Sequence, residues 1–404
     1  MRLFEQSGTW RPEDRAERQL VSLSVEVPAG LEGLRVELDY DHANAAVLDL
    51  GCDGPEGWVG WSGGARRHYV VSEQWSTPGY LPVPVAPGEW QVVLGLHRVP
   101  EAGVGFRVRV DAVSTSDVAA EAQAQPPAPP PPPRPPRRHL PTLDGMRWRA
   151  GDFHAHTLHS DGALSVDQLA ALGVARGLEV LAVTDHNTTS HHAELAAAGE
   201  RYGIQLVPGQ EVTTDRGHAN AYGDIGFVDF RQPASQWQRD VRRRGGLLSV
   251  NHPLGGDCAW RMPLEEPTTA AEVWHSSWLQ RPTWGGPLAW WLSWGVGTVP
   301  LGGSDFHRVE DGDVLATPTT WVLCDDDDVL GAVAAGRTSI GSDPQGPVLL
   351  REGDAVTAIG ADGALLTGFD HRRRRVLGDR VTLAVEPGPA WLEDDHMGIL
   401  ALSG

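Results

Sequence analysis

Hydrophobic and polar positions follow two rhythms along this chain, and the change falls near residue 140. Before it, apolar residues alternate with polar ones over short spans: Leu20–Val27, Leu34–Leu38, Ala46–Leu50, Tyr69–Val71, Gln91–Leu96 and Gly105–Val110. Gly, Pro and Asp separate these spans. Period-two alternation between turn residues is the signature of strands with one buried face. No helix-length amphipathic run interrupts them, so an all-β sandwich or jelly roll is expected.

After residue 140 the rhythm becomes strand, helix, strand. Arg147–His154, Leu178–Thr184, Ile204–Val212, Leu247–Asn251, Ala271–His275, Thr298–Gly302 and Thr319–Cys324 read as strands, with a short one at His218–Tyr222. Helices are expected from the capping box at Ser165–Gln168 to Arg176, over His191–Tyr202 and Pro233–Arg244, over a Trp-rich Pro287–Trp294, and over Asp325–Ala335. Repeated β–α units close into a barrel or stack as a doubly wound sheet. Residues 341–404 are short, strand-like and turn-rich.

The boundary is compositional. Residues 119–138 are rich in Ala, Gln and Pro and end in PPAPPPPPRPPRR. Polyproline is an extended, semi-rigid spacer. The expected organisation is a β domain at 1–116, a Pro-rich linker at 117–141, a catalytic α/β domain at 142–340 and a β-rich extension at 341–404.

Composition narrows the function. Net charge is −20, from 53 acidic against 33 basic residues, which speaks against a basic nucleic-acid groove. Every basic residue is arginine, so Schiff-base, P-loop and kinase-type lysine chemistry is excluded. Cys52, Cys258 and Cys324 are far apart and form neither a disulfide framework nor a zinc knuckle. With no apolar signal core and no long apolar run, a soluble cytoplasmic protein is the default expectation.

The chemistry lies in the histidines, ten of which fall between Phe153 and His307. They sit in compact motifs: His154-Ala155-His156 followed by Ser160-Asp161-Gly162, Thr184-Asp185-His186-Asn187, Gly209-Gln210-Glu211, Gly217-His218, Asn251-His252-Pro253 and Ser304-Asp305-Phe306-His307. Imidazole and carboxylate without thiolate suit Zn²⁺, Mn²⁺ or Fe acting as a Lewis acid. Each motif follows an expected strand, where function gathers in parallel α/β folds. Strand alternation turns residues i and i+2 the same way, as at 154/156 and 305/307.

In this order the motifs resemble those of the PHP (polymerase and histidinol phosphatase) superfamily over roughly residues 148–340. GQEVTTDRGHANAYGDIG and NHPLGGDCAW are similar to the CehA/McbA-type metallohydrolases, a branch that includes a carbaryl hydrolase. The resemblance implies a distorted (β/α)7 barrel behind the β-sandwich, with two or three divalent ions. It implies that His154, His156, Glu211 and Asp305 hold the first ion, with Glu211 bridging. His218 and His252 complete the second, and Asp161, His186 and His307 form the third. Many trinuclear members carry histidine where this chain has Asp161. Asp305 would also move a proton, with Glu211 and His307 the other catalytic residues; Asp185 would orient a ligating histidine.

The expected activity is phosphoester hydrolysis of a small, at most nucleotide-sized, substrate. Carboxyl-ester or carbamate hydrolysis is the alternative, and a non-catalytic metal- or ligand-binding module is the alternative of another class. A homo-oligomer is compatible with the sequence, and no membrane partner is expected. His159, His191, His192 and His275 lie outside the matched positions and are candidates for substrate or supporting contacts. Asn187, Asn220 and Asn251 cluster beside the motifs. Trp260 and Trp278 are the tryptophans best placed to line an apolar pocket, while Arg216 and Arg308 suit a substrate anion or a surface ion pair. His42, His68, His97, His371 and His396 read as structural or exposed.

Overall fold

The computed structural model describes residues 1–42, 45–294, 297–325 and 328–404, with residue 257 as backbone only. It divides into two compact units. The first is Met1–Ala128 together with His156–Ser165 and Asp185–Ala193; the second is Pro129–Ala155, Val166–Thr184 and Glu194–Gly404.

The first unit holds strands β1 (Arg2–Trp10), β2 (Leu20–Val27), β3 (Gly33–Tyr40), β4 (Val47–Gly54), β5 (Gly57–Gly63), β6 (His68–Ser72), β7 (Gly88–Arg98) and β8 (Val104–Val113). They form two four-stranded antiparallel sheets, ordered β1-β8-β3-β6 and β2-β7-β4-β5. The apolar positions of the alternating spans meet in one core that includes Val25, Val36, Leu38, Leu50, Tyr69, Leu94 and Val108. The sequence pattern does not indicate β1 or β5. Strand β1 shows no buried residue, so it carries no alternation, and β5 (GWVGWSG) is broken by glycine. Gly51 has a packing reason: a Cβ there would come within 2.4 Å of the Trp61 ring.

Two short helices, α1 (Pro12–Glu17) and α2 (Thr115–Gln123), complete this unit. Helix α2 falls where composition suggests the start of an extended linker. Its Ser114 hydroxyl accepts from the Asp117 N–H, and the Asp117 carboxylate accepts in return from the Ser114 N–H at 3.0 Å. This capping box starts a helix whose Val118 is buried. The proline run differs from expectation too, for it is not a free spacer. From Pro129 onward it belongs to the second unit, where Tyr202 donates to the Pro129 carbonyl at 2.7 Å and Arg134 donates to the carbonyls of Leu178 and Gly203. Polyproline leaves its own carbonyls unpaired, so it can accept such bonds and be held against a surface.

The second unit carries β9 (Arg147–Asp152), β10 (Val180–Val183), β11 (Gln205–Thr214), β12 (Gly217–Tyr222), β13 (Leu247–Val250), β14 (Ala270–His275), β15 (Val299–Gly303) and β16 (Thr319–Cys324). Helices α3 (Val166–Ala175), α4 (His192–Tyr202), α5 (Ala234–Arg243), α6 (Ser276–Leu279), α7 (Gly286–Trp294) and α8 (Val329–Ala334) alternate with them. Residues 326 and 327 of the helix expected from Asp325 lie outside the described residues.

The sheet runs β15-β14-β13-β12-β11-β10-β9-β16 and continues into the C-terminal strands. Pairing is parallel for β9–β10, β10–β11, β13–β14 and β14–β15, but antiparallel on both sides of β12 and between β9 and β16. A hairpin, β11–β12, is thus inserted into an otherwise wound sheet. Among the described residues no hydrogen-bonded ladder joins β15 to β16. They meet instead through the Thr320 hydroxyl, which accepts from Gly302 N–H at 2.8 Å and donates to its carbonyl at 2.9 Å. The fold is mixed α/β. The strand interiors are continuous apolar runs because both faces are covered, with Val180, Ala182, Ala270, Leu301 and Val322 in one core.

Candidate metal centre

In the second unit the strands deliver their polar residues to one end. Asp152, fully buried at the end of β9, organises that end. Its Oδ1 accepts from the N–H groups of His154 (3.2 Å) and Ser304 (3.0 Å), and its Oδ2 accepts from Ala316 N–H (2.8 Å). Burial raises its pKa, and these hydrogen bonds act against the rise. One carboxylate thereby ties the segments after β9 and β15, which carry His154 and Asp305.

His154 is the most informative side chain. It is 1% exposed, and each ring nitrogen meets carboxylate. Nδ1 lies 3.1 Å from Glu272 Oε1, while Nε2 lies 3.3 Å from Glu211 Oε1 and 3.2 Å from Asp305 Oδ1. Burial disfavours the imidazolium, but Asp305, Glu211 and Glu272 together outweigh it and raise the pKa well above the ordinary histidine value. Glu272 is 4% exposed and also accepts from His252 N–H at 2.7 Å. Burial pushes its own pKa up, yet the neighbouring imidazoles, His154 first, pull it below the ordinary value.

Glu211 Oε1 is the hub. Besides His154 it meets His218 Nδ1 at 3.0 Å, His252 Nε2 at 3.4 Å and Asn251 Nδ2 at 2.8 Å. Ladder register explains this: Glu211 on β11 pairs with Asn220 on β12, and β12 pairs in turn with β13, which leads directly into Asn251 and His252. Asn251 Oδ1 accepts from Asn220 N–H, and Asn220 Nδ2 donates to the Phe153 carbonyl, so these asparagines brace the hub.

Asp305 uses its two oxygens differently. Oδ1 faces His154, and Oδ2 lies 3.2 Å from His275 Nε2. His275 Nδ1 accepts from Ser277 N–H at 3.2 Å, which leaves Nε2 as the protonated nitrogen that donates to Asp305. His307 Nδ1 is 2.8 Å from the Asp305 carbonyl, an oxygen that only accepts, so its Nε2 presents a lone pair. Asp305 and His252 are held at φ of 53° and 24°, a region non-glycine residues seldom occupy. Such strain persists only where surrounding bonds fix it.

This donor set fits divalent cations. Three carboxylates, Glu211, Glu272 and Asp305, converge on one buried imidazole, and Glu272 can fix Nδ1–H so that Nε2 offers its lone pair on the Glu211–Asp305 side. A carboxylate behind a histidine is the usual support for a metal-binding imidazole. Ligand atoms of His154, His252 and Glu272 lie within 4.8 Å of one another.

His156, Asp161 and His186 belong to the first unit, whose sheets hold the two loops that bear them. Their ligand atoms also lie within 4.8 Å of one another, with His186 Nε2 3.6 Å from Asp161 Oδ1. Arg66 donates to the carbonyls of Ser160 (2.9 Å) and Leu158, Trp58 donates to the Asn187 carbonyl (3.0 Å), and Gly79 N–H donates to Ser190 Oγ (3.1 Å). Asp185 is buried among Thr157 N–H (2.8 Å), Ser160 Oγ (2.6 Å) and His191 Nδ1 (3.2 Å). Burial raises its pKa, but His191, His159 and His156 outweigh it and bring the value to about 2. Ser160 Oγ is 3.5 Å from His156 Nδ1, so Asp185 acts on that imidazole through a serine.

Two residues of the centre escape sequence reasoning. Glu272 is not part of any motif, although an acid inside the strand AEVWH is a visible signal, and His275 is only one of four unplaced histidines. Of the others, His159 bonds Ser190 Oγ at 2.7 Å and His191 meets Asp185. Trp278 is 1% exposed and its ring lies 5.5 Å from that of Trp274. Trp260 lines a groove of about 230 Å³ shared with Met262, Trp290 and Trp294. Arg308 pairs with Asp311 at 3.3 Å on the surface.

Residues 152–248 match the PHP domain model. Among curated proteins, the chain is 42% identical over 84 residues to a 3',5'-nucleoside bisphosphate phosphatase of Chromobacterium violaceum, covering 20% of this chain and 29% of that one. It is 39% identical over 64 residues to a 5'-3' exoribonuclease of Haemophilus influenzae, covering 16% and 23%. The chain therefore spans less than a third of these relatives' length. A crystal structure from Bacteroides vulgatus, of a two-domain protein containing a predicted PHP-like metal-dependent phosphoesterase, aligns with 67% of this chain and 91% of its own at 18% identity and a TM-score of 0.42.

Proposed function

We propose that this chain is a PHP-type metal-dependent phosphoesterase acting on a small phosphoester. The observation that carries the reading is His154, with Glu272 on Nδ1 and both Glu211 and Asp305 on Nε2. In this reading His154, His156, Glu211, Asp305, His218 and His252 hold two divalent ions, of Mn, Zn or Fe, and Asp161, His186 and His307 hold a third. The paired sheets are read as a sandwich, the wound sheet as a distorted (β/α)7 barrel, and the chain as a member of the CehA/McbA-type branch.

When bound, such ions supply an activated hydroxide near neutral pH and charge stabilisation for the phosphoryl oxygens. The chain's own residues do the rest. Glu272 keeps the proton of His154 on Nδ1, and Asn251 orients Glu211 through its Nδ2–H. His275 Nε2–H holds Asp305 Oδ2, which aims Oδ1; Asp305 would take up the proton released by the attacking water and pass it to the leaving oxygen. Burial of His154, Glu211 and Glu272 excludes bulk water from these contacts. Among the described residues no helix is long and apolar enough to cross a membrane.

A second reading, hydrolysis of an aryl ester or carbamate, is favoured by the Trp260 groove. A Cβ on Gly217, the residue before His218, would come within 2.9 Å of the Trp260 Cα, so Trp260 packs on the hairpin that carries His218. The test is to strip the protein with chelator, reload it with Mn²⁺ or Zn²⁺, and assay p-nitrophenyl phosphate, bis-p-nitrophenyl phosphate, an aryl ester and an aryl carbamate. Metal-dependent phosphate or phosphodiester cleavage is expected. Turnover of only the ester or carbamate would replace the first reading with the second, and no turnover of any would overturn both.

A further inference from the structure

The β domain holds a largely buried carboxylate that, among the described residues, no hydrogen-bond donor satisfies. Asp49 lies on β4 between Leu48 and Leu50, both in the core of the paired sheets. Strand alternation turns its side chain to the opposite face. It pairs there with Gly95 of β7. A Cβ at Gly95 would come within 2.4 Å of Asp49 Oδ2, so glycine makes the room this carboxylate fills. A Cβ at Gly64 would stand 3.6 Å from Oδ1. The Asp49 side chain is 15% exposed, and His97 Nδ1, on an exposed ring, is 4.0 Å from Oδ2. A buried carboxylate without donors is costly unless positive charge faces it.

The loops that bear Asp161 and His186 belong to the same compact unit as β4. Trp58 donates to the Asn187 carbonyl at 3.0 Å and Arg66 to the Ser160 carbonyl at 2.9 Å, and Gly64 falls between these two donors in the chain. The segment that grips both loops therefore passes beside Asp49. Charge reaches across as well: burial raises the pKa of Asp49 to about 7, His186 opposes the rise, and Asp161 adds to it. The rings of His156 and His186 are 4.4 Å apart, with His186 Nε2 3.6 Å from Asp161 Oδ1. Among the described residues, Asp49 is not one of those whose ligand atoms lie within 4.8 Å of one another, so it stands behind this cluster rather than in it. A cation held by the cluster would relieve the repulsion between Asp49 and Asp161. Carboxylates placed behind metal ligands tune the affinity of a site.

We propose, on the metal-dependent reading above, that Asp49 is a supporting carboxylate for the ion held by His156, Asp161 and His186, so that the β domain strengthens a metal position it does not ligate. An added carboxylate favours oxygen-preferring ions, Mn²⁺ among them. The test is Mn²⁺ titration of metal-free, full-length protein by competition with a fluorescent chelator, counting bound ions per chain. The parent is compared with Asp49→Asn, Asp49→Ser and Glu26→Gln. Glu26 is an exposed carboxylate of β2, so its loss removes the same charge elsewhere on the β domain. Both Asp49 variants should lose about tenfold or more in affinity at one position, the scale of a lost supporting carboxylate. Their other positions, and every position of Glu26→Gln, should stay within about twofold of the parent. The melting temperature of metal-free Asp49→Asn at pH 7 should not fall, because asparagine keeps the shape and removes a buried charge without donors. Affinity and stability thus move apart, whereas a purely structural side chain would lower both together. Asp49 variants that bind every ion as the parent does, or that weaken all positions equally with a lowered melting temperature, would overturn the proposal while leaving the metal-dependent reading intact. A parent that binds no Mn²⁺ would overturn that reading and the role of Asp49 with it.

Discussion

Glu272→Gln is the sharpest single perturbation. The glutamate accepts two hydrogen bonds, from His252 N–H at 2.7 Å and from His154 Nδ1 at 3.1 Å. Glutamine keeps its shape but has one accepting atom. If its oxygen stays with the backbone N–H, its amide faces Nδ1, and His154 must carry its proton on Nε2 instead. That proton points at Glu211 and Asp305, where a cation needs a lone pair. If the amide flips, His252 N–H faces a donor inside a buried site, at about 1–3 kcal/mol. Loss of such a supporting carboxylate lowers metal affinity about 10- to 100-fold, or roughly 1.4–2.7 kcal/mol. Tautomer inversion places this variant towards the larger value. Mn²⁺ affinity is measured by competition with a fluorescent chelator, alongside the melting temperature of the metal-free protein to confirm folding. A folded variant whose affinity stays within about twofold of the parent, well short of the tenfold lower bound, would refute the assigned role of Glu272.

Three other expectations are independent of that one. Asp49 has its pKa raised to about 7, first by burial and further by Asp161, with His186 opposing. Its folded pKa stands above the unfolded value of about 3.9, so the stability it allows is full below about pH 4 and is lost as pH rises towards 7. In the metal-free protein Asp49→Asn should remove part of that decline, reduced because the side chain is 15% exposed; identical urea-unfolding pH profiles would contradict it. Arg66→Gln should lower the affinity of one metal position while sparing the others, because Arg66 holds the loop that carries Asp161; equal loss at all positions in a metal titration would point to general misfolding instead. Gly303→Ala would bring a Cβ to 2.4 Å from Glu272 Oε1 and 2.5 Å from His154 Cβ. About 1–3 kcal/mol of destabilisation is expected from such overpacking, and an unchanged melting temperature would count against the packing described.

The strands of the second unit are legible because both their faces are apolar and their ends carry the ligand motifs. The span Thr319–Cys324 matches its strand to the residue, and Val180–Val183 lies within the expected span. Glu211, His218, His252 and Asp305 are readable as motifs, and their convergence follows from ladder register. What the sequence hides is pairing at a distance. Nothing local tells that Glu272 faces His154, 118 residues earlier, or that Ser277 N–H fixes the tautomer of His275. The insertion of β12 as an antiparallel strand is equally hidden, since period two does not report direction. The proline run misleads for a related reason. Its composition excludes a core but does not show that Arg134, within it, fastens it to the carbonyls of Leu178 and Gly203. The β domain shows no function in its sequence, yet Arg66, Trp58 and Gly79 reach loops that carry Asp161 and His186.

The central claim is that the buried imidazole–carboxylate cluster holds the ions on which hydrolysis depends. It is tested most directly by titrating Mn²⁺ into metal-free protein while following both bound metal and the rate of bis-p-nitrophenyl phosphate cleavage. The account predicts no rate without metal, a rise that saturates at two or three bound ions per chain, and loss of both binding and rate in Glu211→Gln. Full activity in the metal-free protein, or unaltered binding and rate in Glu211→Gln, would contradict it.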